Sequence, residues 1–165
     1  MTNQIDLTEL YSLQEGLDLD IASKHNVTYE TTHEKRLLAL MIEIGELANE
    51  TRCFKYWSNK GPSSKEVIIE EYADGLHFLL SLGIPLKTTK MVYTLEDDND
   101  DLTRMFHKMY HKSTILVDHY DLGHYIDAFQ TYLNIAKKLG FTPEDIIKAY
   151  KSKLEVNYVR QKTNY

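Results

Sequence analysis

The sequence is poor in cysteine, glycine and proline, and each shortage excludes a class of protein. Its single cysteine, Cys53, cannot close an intramolecular disulfide or build a zinc site from paired thiols. Seven glycines and three prolines in 165 residues argue against a turn-rich sandwich or barrel, because they are about half the usual share of these turn formers. We therefore expect a single domain spanning residues 1–165, in a reducing, cytoplasmic compartment.

Long apolar runs and excess positive charge are also missing. No window holds the roughly 18 uncharged apolar residues of a membrane span, and the first residues lack the basic and apolar regions of a signal peptide. The formal net charge of −6 opposes binding to a phosphate backbone. These absences predict a protein that is neither exported nor membrane-spanning, with no nucleic acid among its partners.

Helical periodicity is what the sequence has in abundance. Apolar residues recur every three or four positions, without strand-length alternation or a long repeat. This spacing predicts an all-α, bundle-like single domain of about six helices. A capping box of Ser63 and Glu66 is expected to begin the third helix, and residues 86–101 to form a connection. The predicted helices cover residues 5–21, 33–53, 63–82, 101–117, 124–139 and 142–158.

Two consecutive predicted helices each carry an acidic stripe. Glu43, Glu46 and Glu50 lie within about 60° of one another on the second helix. The third helix places a similar group on one face: Glu70, Glu71, Asp74, His77 and Phe78. Solvated faces are one interpretation of both stripes. However, like charges at these spacings repel and have few basic partners, whereas two facing stripes can bind divalent cations such as Mg²⁺ for phosphate chemistry.

Two further groups of polar residues allow more than one interpretation. Lys153, Asn157 and Arg160 share a face of the last helix, as expected either for a basic helix end stabilised by the dipole or for a phosphate site. His107 and His111 have the spacing of zinc ligands, but the glutamate of an HExxH motif is missing. A zinc role for these histidines is therefore disfavoured.

Three segments carry a resemblance to a known family. In chain order, they are EIGELANETRCFKYW, EEYADGLHF and YKSKLEVNYVRQKTNY. These segments are similar to segments of the dimeric all-α dUTP diphosphatases of the phage and Firmicute type. These enzymes belong to the all-α nucleoside triphosphate pyrophosphohydrolase superfamily, which includes MazG-like enzymes. The ExxE and ExxD motifs of the superfamily occur here as Glu43-x-x-Glu46 and Glu71-x-x-Asp74. The resemblance implies that these four residues bind Mg²⁺ and that Glu43, or otherwise Glu46, is the general base.

The resemblance also implies a nucleotide site. Matching positions are expected to contact the base and the sugar: Gln14, Asp18, Trp57, His77, Phe78 and Asn157. Lys55, Lys153 and Arg160 are expected to bind the triphosphate, and Tyr165 belongs to a tail that closes over the substrate in the family. Asp18 stands where many family members have Asn.

The expected activity is Mg²⁺-dependent hydrolysis of dUTP to dUMP and pyrophosphate, and the expected assembly is a homodimer. This reaction limits uracil in DNA and supplies dUMP for dTMP synthesis. One alternative is a MazG-like or dCTP-specific pyrophosphohydrolase with the same metal core. The other is a non-enzymatic helical interaction module. A phage context would add a regulatory protein partner.

Overall fold

The computed structural model describes residues 2–165, which form six helices and two short strands. The helices are α1 (Thr8–His25), α2 (Tyr29–Thr51), α3 (Lys65–Gly83), α4 (Leu102–Asp118), α5 (Leu122–Lys138) and α6 (Pro143–Lys162). The strands are β1 (Gln4–Asp6) and β2 (Val92–Thr94). The prediction of an all-α fold with about six helices is confirmed. Among the helices of residues 2–165, none combines the length and apolar character needed to cross a membrane.

The start of the chain differs from the sequence expectation. Ile5 lies in β1, not in the first helix, and β1 pairs antiparallel with β2 so that Ile5 lies opposite Tyr93. Both side chains are buried. The segment expected to be a connection therefore contributes a strand. A strand of three residues is too short to show alternation of apolar and polar residues. In the sequence, its buried Ile5 therefore fits the helical spacing of α1, which explains the wrong start.

The start of α3 also differs in detail. Ser64, not Ser63, caps this helix by accepting a hydrogen bond from the backbone N–H of Val67. Ser63 instead donates its hydroxyl hydrogen to the carboxylate of Glu50 at the end of α2. The predicted capping box of Ser63 and Glu66 is therefore wrong, because the Ser63 side chain bonds from the loop before α3 to the end of α2.

Other helix ends are set by hydroxyl caps. Thr28 caps α2 together with Thr31, so the helix begins at Tyr29 rather than near residue 33. Thr142 caps α6 with Asp145 at the helix start expected from the sequence, but the helix continues to Lys162, beyond the expected end near residue 158. The longer α6 extends its basic face along the pocket that is described below.

Helix α3 lies at the centre of the bundle and packs against α1, α2, α5 and α6, while α4 packs on α2 and α5. Its apolar side chains are buried, including Ile68, Tyr72, Leu76, Leu79 and Leu80. Leu37, Leu40, Ile44 and Leu47 of α2 are buried in the same core. Burial of these faces leaves the acidic residues of α2 and α3 at the rim of the core, next to α1 and α6.

Two glycines of α3 allow tyrosines of α5 to reach the helix backbone. The Tyr132 hydroxyl donates to the carbonyl oxygen of Tyr72 at 2.7 Å, beside Gly75. The Tyr125 hydroxyl makes the same kind of contact beside Gly83. A Cβ atom at either glycine would overlap the tyrosine. These glycines are therefore required by close packing between α3 and α5.

Candidate active site

A large pocket collects most of the residues that the sequence analysis singled out. It has a volume of about 870 Å³ and lies between α1, α2, α3 and α6. Acidic side chains line one part of it, and hydroxyl, amide and apolar side chains line the rest. The predicted site residues along its wall are Gln14, Asp18, Glu43, Glu46, Glu71, Asp74, His77, Phe78, Lys153, Asn157, Arg160 and Tyr165.

Two predicted residues, Lys55 and Trp57, lie outside this pocket in the described chain. They follow α2 in a turn, where 64% of the Trp57 surface is exposed and its ring contacts Phe54 and Tyr56. The Lys55 ammonium lies 5.7 Å from the centre of the Phe54 ring. A single copy of the chain does not bring these side chains to the acidic residues, so their roles in substrate binding stay predictions.

Three carboxylates meet at the acidic part of the pocket. Glu43 and Glu46 of α2 and Glu71 of α3 each supply an oxygen, and these atoms lie within 4.8 Å of one another. Oε2 of Glu43 is buried and has no hydrogen-bond partner among residues 2–165. Burial, together with the nearby charges of Asp74, Glu46 and Glu71, raises the pKa of Glu43 to about 7. A buried carboxylate oxygen without a partner, among other acids, fits a site for a divalent cation.

Asp74, the remaining member of the two motifs, is paired with a cation of the chain. The Lys153 ammonium lies 2.8 Å from Oδ2 of Asp74 and 3.0 Å from Oε1 of Glu70. Burial raises the pKa of Asp74, and the hydrogen bond from Lys153 opposes that rise. Burial lowers the pKa of Lys153, but its two carboxylate partners outweigh this effect and the net pKa is raised. Lys153 therefore stays charged beside the acidic cluster.

The end of α6 adds a second cation to the pocket. Arg160 lines the wall, and its positive charge, like that of Lys153, partly opposes the rise that burial causes in the pKa of Asp74. The Arg160 guanidinium carbon lies 4.8 Å from the centre of the Tyr165 ring. The basic face of α6 thus points toward the acidic residues, which a solvated helix end would not do.

A buried polar network at the opposite part of the pocket includes residues that the sequence analysis missed. The carboxylate of Asp18 accepts hydrogen bonds from Gln14 at 2.8 Å, from Ser81 at 2.7 Å and from Tyr29 at 3.1 Å. Arg36 donates to the hydroxyl and carbonyl oxygens of Ser81 and to the carbonyl oxygen of Tyr29. Two features of the sequence could have signalled this network. Ser81 is a single serine in the apolar run of α3, and Arg36 is a single arginine just before the apolar run of α2.

His77 joins this network from α3. Its Nδ1 lies 2.7 Å from Oε1 of Gln14, and its ring stacks on Tyr150 at 4.2 Å between ring centres. Burial lowers the pKa of His77 to about 4, although the backbone carbonyl of Tyr150 acts in the opposite direction. His77 is therefore neutral at neutral pH. Phe78, the next residue, is partly buried on the pocket wall.

The remaining candidates lie away from the pocket. His107 and His111 are exposed on α4. Within residues 2–165, the grouping suited to a metal is that of Glu43, Glu46 and Glu71, and neither histidine belongs to it. Glu50 continues the acidic stripe of α2 but bonds to Ser63.

The fold and this pocket define the class of the protein, an all-helical enzyme with an acidic centre at one end of a ligand pocket. The chain belongs to the dUTPase family, because the family model described as dUTPase matches residues 6–165. Comparison with curated proteins gave no match. The family assignment confirms the resemblance found in the sequence and shows that the protein is a dUTP diphosphatase, which takes dUTP as substrate and releases dUMP. dUTPases generally use a divalent metal, in agreement with the acidic cluster.

Proposed function

We propose that the protein hydrolyses dUTP to dUMP and pyrophosphate with Mg²⁺ as its metal, held by Glu43, Glu46, Glu71 and Asp74. The observation that supports this most strongly is the carboxylate cluster with its unpartnered Glu43 oxygen, unpartnered at least among residues 2–165. Mg²⁺ prefers oxygen ligands and commonly shares them with substrate phosphates. When bound, it would neutralise phosphate charge and lower the pKa of a water molecule.

Within this cluster, we assign the role of general base to Glu43. Without metal, burial among acids raises the pKa of Glu43 to about 7, and its Oε2 has no hydrogen-bond partner among residues 2–165, which leaves that oxygen free to accept a proton from water. Glu46 is more exposed on the next turn of α2 and remains the alternative base. The Glu43 carboxylate would take the proton from the water that attacks phosphorus.

The cations of α6 would bind the phosphates. Lys153 is held by Asp74 and Glu70 in this structure, and the oxygens of a triphosphate are an alternative set of partners for its ammonium. Arg160 lies on the same helix face and would bind phosphate beside it. Asn157 and Tyr165 on the same wall would close the pocket around the substrate. At the other part of the pocket, the polar network around Gln14 would contact the nucleoside.

A homodimer is the proposed assembly. Helices α2 and α4 pack against each other and expose large apolar side chains, with between 36% and 61% of each residue exposed: Leu38, Ile42, Tyr110 and Val117. Apolar side chains that together form an exposed patch are typical of an interaction surface. Leu38→Glu should therefore give monomers in light-scattering measurements, whereas Leu122→Glu, at an exposed leucine of α5, should not. A regulatory protein partner stays a prediction.

The test of the proposed function is an assay of pyrophosphate release from dUTP, dCTP, dTTP and UTP, with and without Mg²⁺. Turnover of dUTP that requires Mg²⁺ is the expected result, together with its loss in Glu46→Gln. Glu34→Gln, at an exposed glutamate of the same helix, is the matched control and should keep full activity. Equal turnover of dCTP would favour the dCTP-specific alternative, and no turnover at all would favour the interaction module. In the cell, the reaction would limit uracil in DNA and supply dUMP for dTMP synthesis in the cytoplasm.

A further inference from the structure

The turn of α3 that carries two of the acidic residues is bound by a tyrosine of α5. Beside Gly75, the Tyr132 hydroxyl donates to the carbonyl oxygen of Tyr72 at 2.7 Å. Tyr72 lies between Glu71 and Asp74 in the chain. The Tyr72 hydroxyl donates in return to the carbonyl oxygen of Tyr132 at 3.1 Å, and the two buried rings stack with 4.4 Å between their centres. These contacts limit how far α3 can rotate or slide against α5 at this turn.

The acidic turn of α2 has the same kind of contact with α4. The Tyr110 hydroxyl donates to the carbonyl oxygen of Met41 at 3.0 Å. A Cβ atom at Gly45 would lie 2.7 Å from the Tyr110 oxygen, so the absence of a side chain lets the tyrosine approach the helix. Gly45 lies between Glu43 and Glu46 in the chain. Each acidic pair is therefore next to a glycine that admits a tyrosine from another helix.

A third tyrosine makes this contact away from the acidic residues. The Tyr125 hydroxyl, also on α5, donates to the carbonyl oxygen of Leu79 at 2.8 Å beside Gly83. Burial raises the pKa of both Tyr125 and Tyr132. Around Tyr132 the charges of nearby carboxylates add to this rise, whereas around Tyr125 other tyrosines do so. The two contacts join the same pair of helices and differ in their distance from the acidic cluster.

The acidic cluster needs support because its members repel one another without a cation. Oxygens of Glu43, Glu46 and Glu71 lie within 4.8 Å of one another, a distance at which like charges on α2 and α3 push the helices apart. A divalent cation needs its oxygen ligands at defined distances, and Mg²⁺ requires nearly octahedral geometry. Groups that hold the ligands in place before the ion arrives therefore increase its affinity.

We propose that Tyr110 and Tyr132 are positioning residues of the metal centre, which hold the ligand-bearing turns of α2 and α3 through their backbones. The proposal rests on the proposed function. In the described chain, neither tyrosine belongs to the wall of the pocket, so each acts through the helix that it binds. Groups that support metal ligands change affinity about 10- to 100-fold. For support through the backbone, we expect about threefold to tenfold.

The variants Tyr110→Phe and Tyr132→Phe each remove one hydroxyl and keep the ring. The carbonyl that loses its tyrosine donor still accepts the helical N–H four residues further on, so both variants should fold. Tyr110→Phe also keeps the apolar ring exposed beside α2, so light scattering should show the wild-type oligomeric state. Tyr125→Phe is the matched control. Because the Tyr125 hydroxyl also bonds to that of Tyr11, this control should lower the urea midpoint at least as much as the other variants.

The first measurement is the Kd for Mn²⁺, followed by electron paramagnetic resonance on the full-length protein without nucleotide. Loss of binding in Glu46→Gln assigns the signal to the acidic cluster. The Kd should rise about threefold to tenfold in Tyr110→Phe and Tyr132→Phe and stay within about twofold of the wild type in Tyr125→Phe. An unchanged Kd in either test variant would overturn the role of that tyrosine. An equal rise in Tyr125→Phe would overturn the proposal, because general loosening of the fold would then explain it.

The second measurement is the Mg²⁺ concentration that gives half-maximal turnover of dUTP. It should rise in Tyr110→Phe and Tyr132→Phe by the factor found for Mn²⁺, while kcat at saturating Mg²⁺ stays near the wild-type value. A fall in kcat that saturating Mg²⁺ does not restore would contradict a role in metal binding alone. If the wild type bound Mn²⁺ without hydrolysing dUTP, the proposed function would fail and the Mn²⁺ data would still decide the role of the tyrosines. If the wild type bound no Mn²⁺, both would fail.

Discussion

Replacing Glu43 with glutamine should stabilise the metal-free protein above neutral pH. Glutamine has the shape of the glutamate side chain but cannot ionise, so it removes one charge from the acidic cluster of α2 and α3. In the wild type, burial and the charges of Asp74, Glu46 and Glu71 disfavour the ionised form of Glu43. The variant avoids that cost at any pH at which the wild-type carboxylate is ionised.

The size of the effect follows from the pKa. The pKa of Glu43 is about 7 in the folded protein, against 4.5 for an ordinary glutamate. At about 1.4 kcal/mol for each pKa unit, this difference corresponds to about 3 kcal/mol. Glu43 is partly exposed, and screening by solvent reduces the expected gain to roughly 1–2 kcal/mol.

The sign depends on pH. The folded protein retains a proton that the unfolded chain has lost between pH 4.5 and about 7, so the wild type loses stability as pH rises through that range. The gain in Glu43→Gln should therefore be small at about pH 4 and complete at about pH 8.

Urea unfolding followed by circular dichroism, in the presence of a chelator, measures this difference at both pH values. Glu34→Gln is the control and should behave as the wild type. Excess Mg²⁺ should reverse the order of stability at the higher pH, because the wild type binds the ion more tightly than the variant. An equal gain in stability at both pH values, or no gain at either, would refute the conclusion that burial and neighbouring acids raise the pKa of Glu43.

Three other substitutions test separate parts of the structure. Gly75→Ala should lower the free energy of unfolding by about 2 kcal/mol, since its methyl group would overlap Tyr132; an unchanged urea midpoint would contradict the packing of α3 on α5. Lys153→Met should destabilise the metal-free protein by roughly 2 kcal/mol or more by leaving Asp74 without its cation, and equal stability at pH 8 would contradict that pairing. Arg160→Ala should reduce kcat/KM for dUTP about tenfold, or about 1.4 kcal/mol, with little change in Tm; normal turnover would exclude a phosphate-binding role.

Local patterns in the sequence determined the helices and the acidic motifs. Side chains three positions apart share a helix face whatever the rest of the fold does, so Glu43 and Glu46 could be paired in advance. The cap at Thr142 was predictable for the same reason, because its partner Asp145 lies within one helical turn. The six helices follow from apolar spacing, which also depends only on near neighbours.

Contacts between distant parts of the chain were decided by the tertiary structure. Pairing of Ile5 with Tyr93 joins segments that no local pattern connects. The ion pair of Lys153 with Asp74 depends on how α6 lies against α3. Trp57 has a suggestive motif, yet the path of the chain after α2 places it outside the pocket.

The network around Asp18 shows the same limit most clearly. The resemblance to the family identified Gln14, Asp18 and His77 as candidates, but nothing in the sequence joined them to Ser81, Tyr29 or Arg36. Those residues come from three helices, and each looks ordinary within its own segment. Hydrogen bonds between helices depend on packing angles and on which side chains are excluded from water, and only the folded chain defines both.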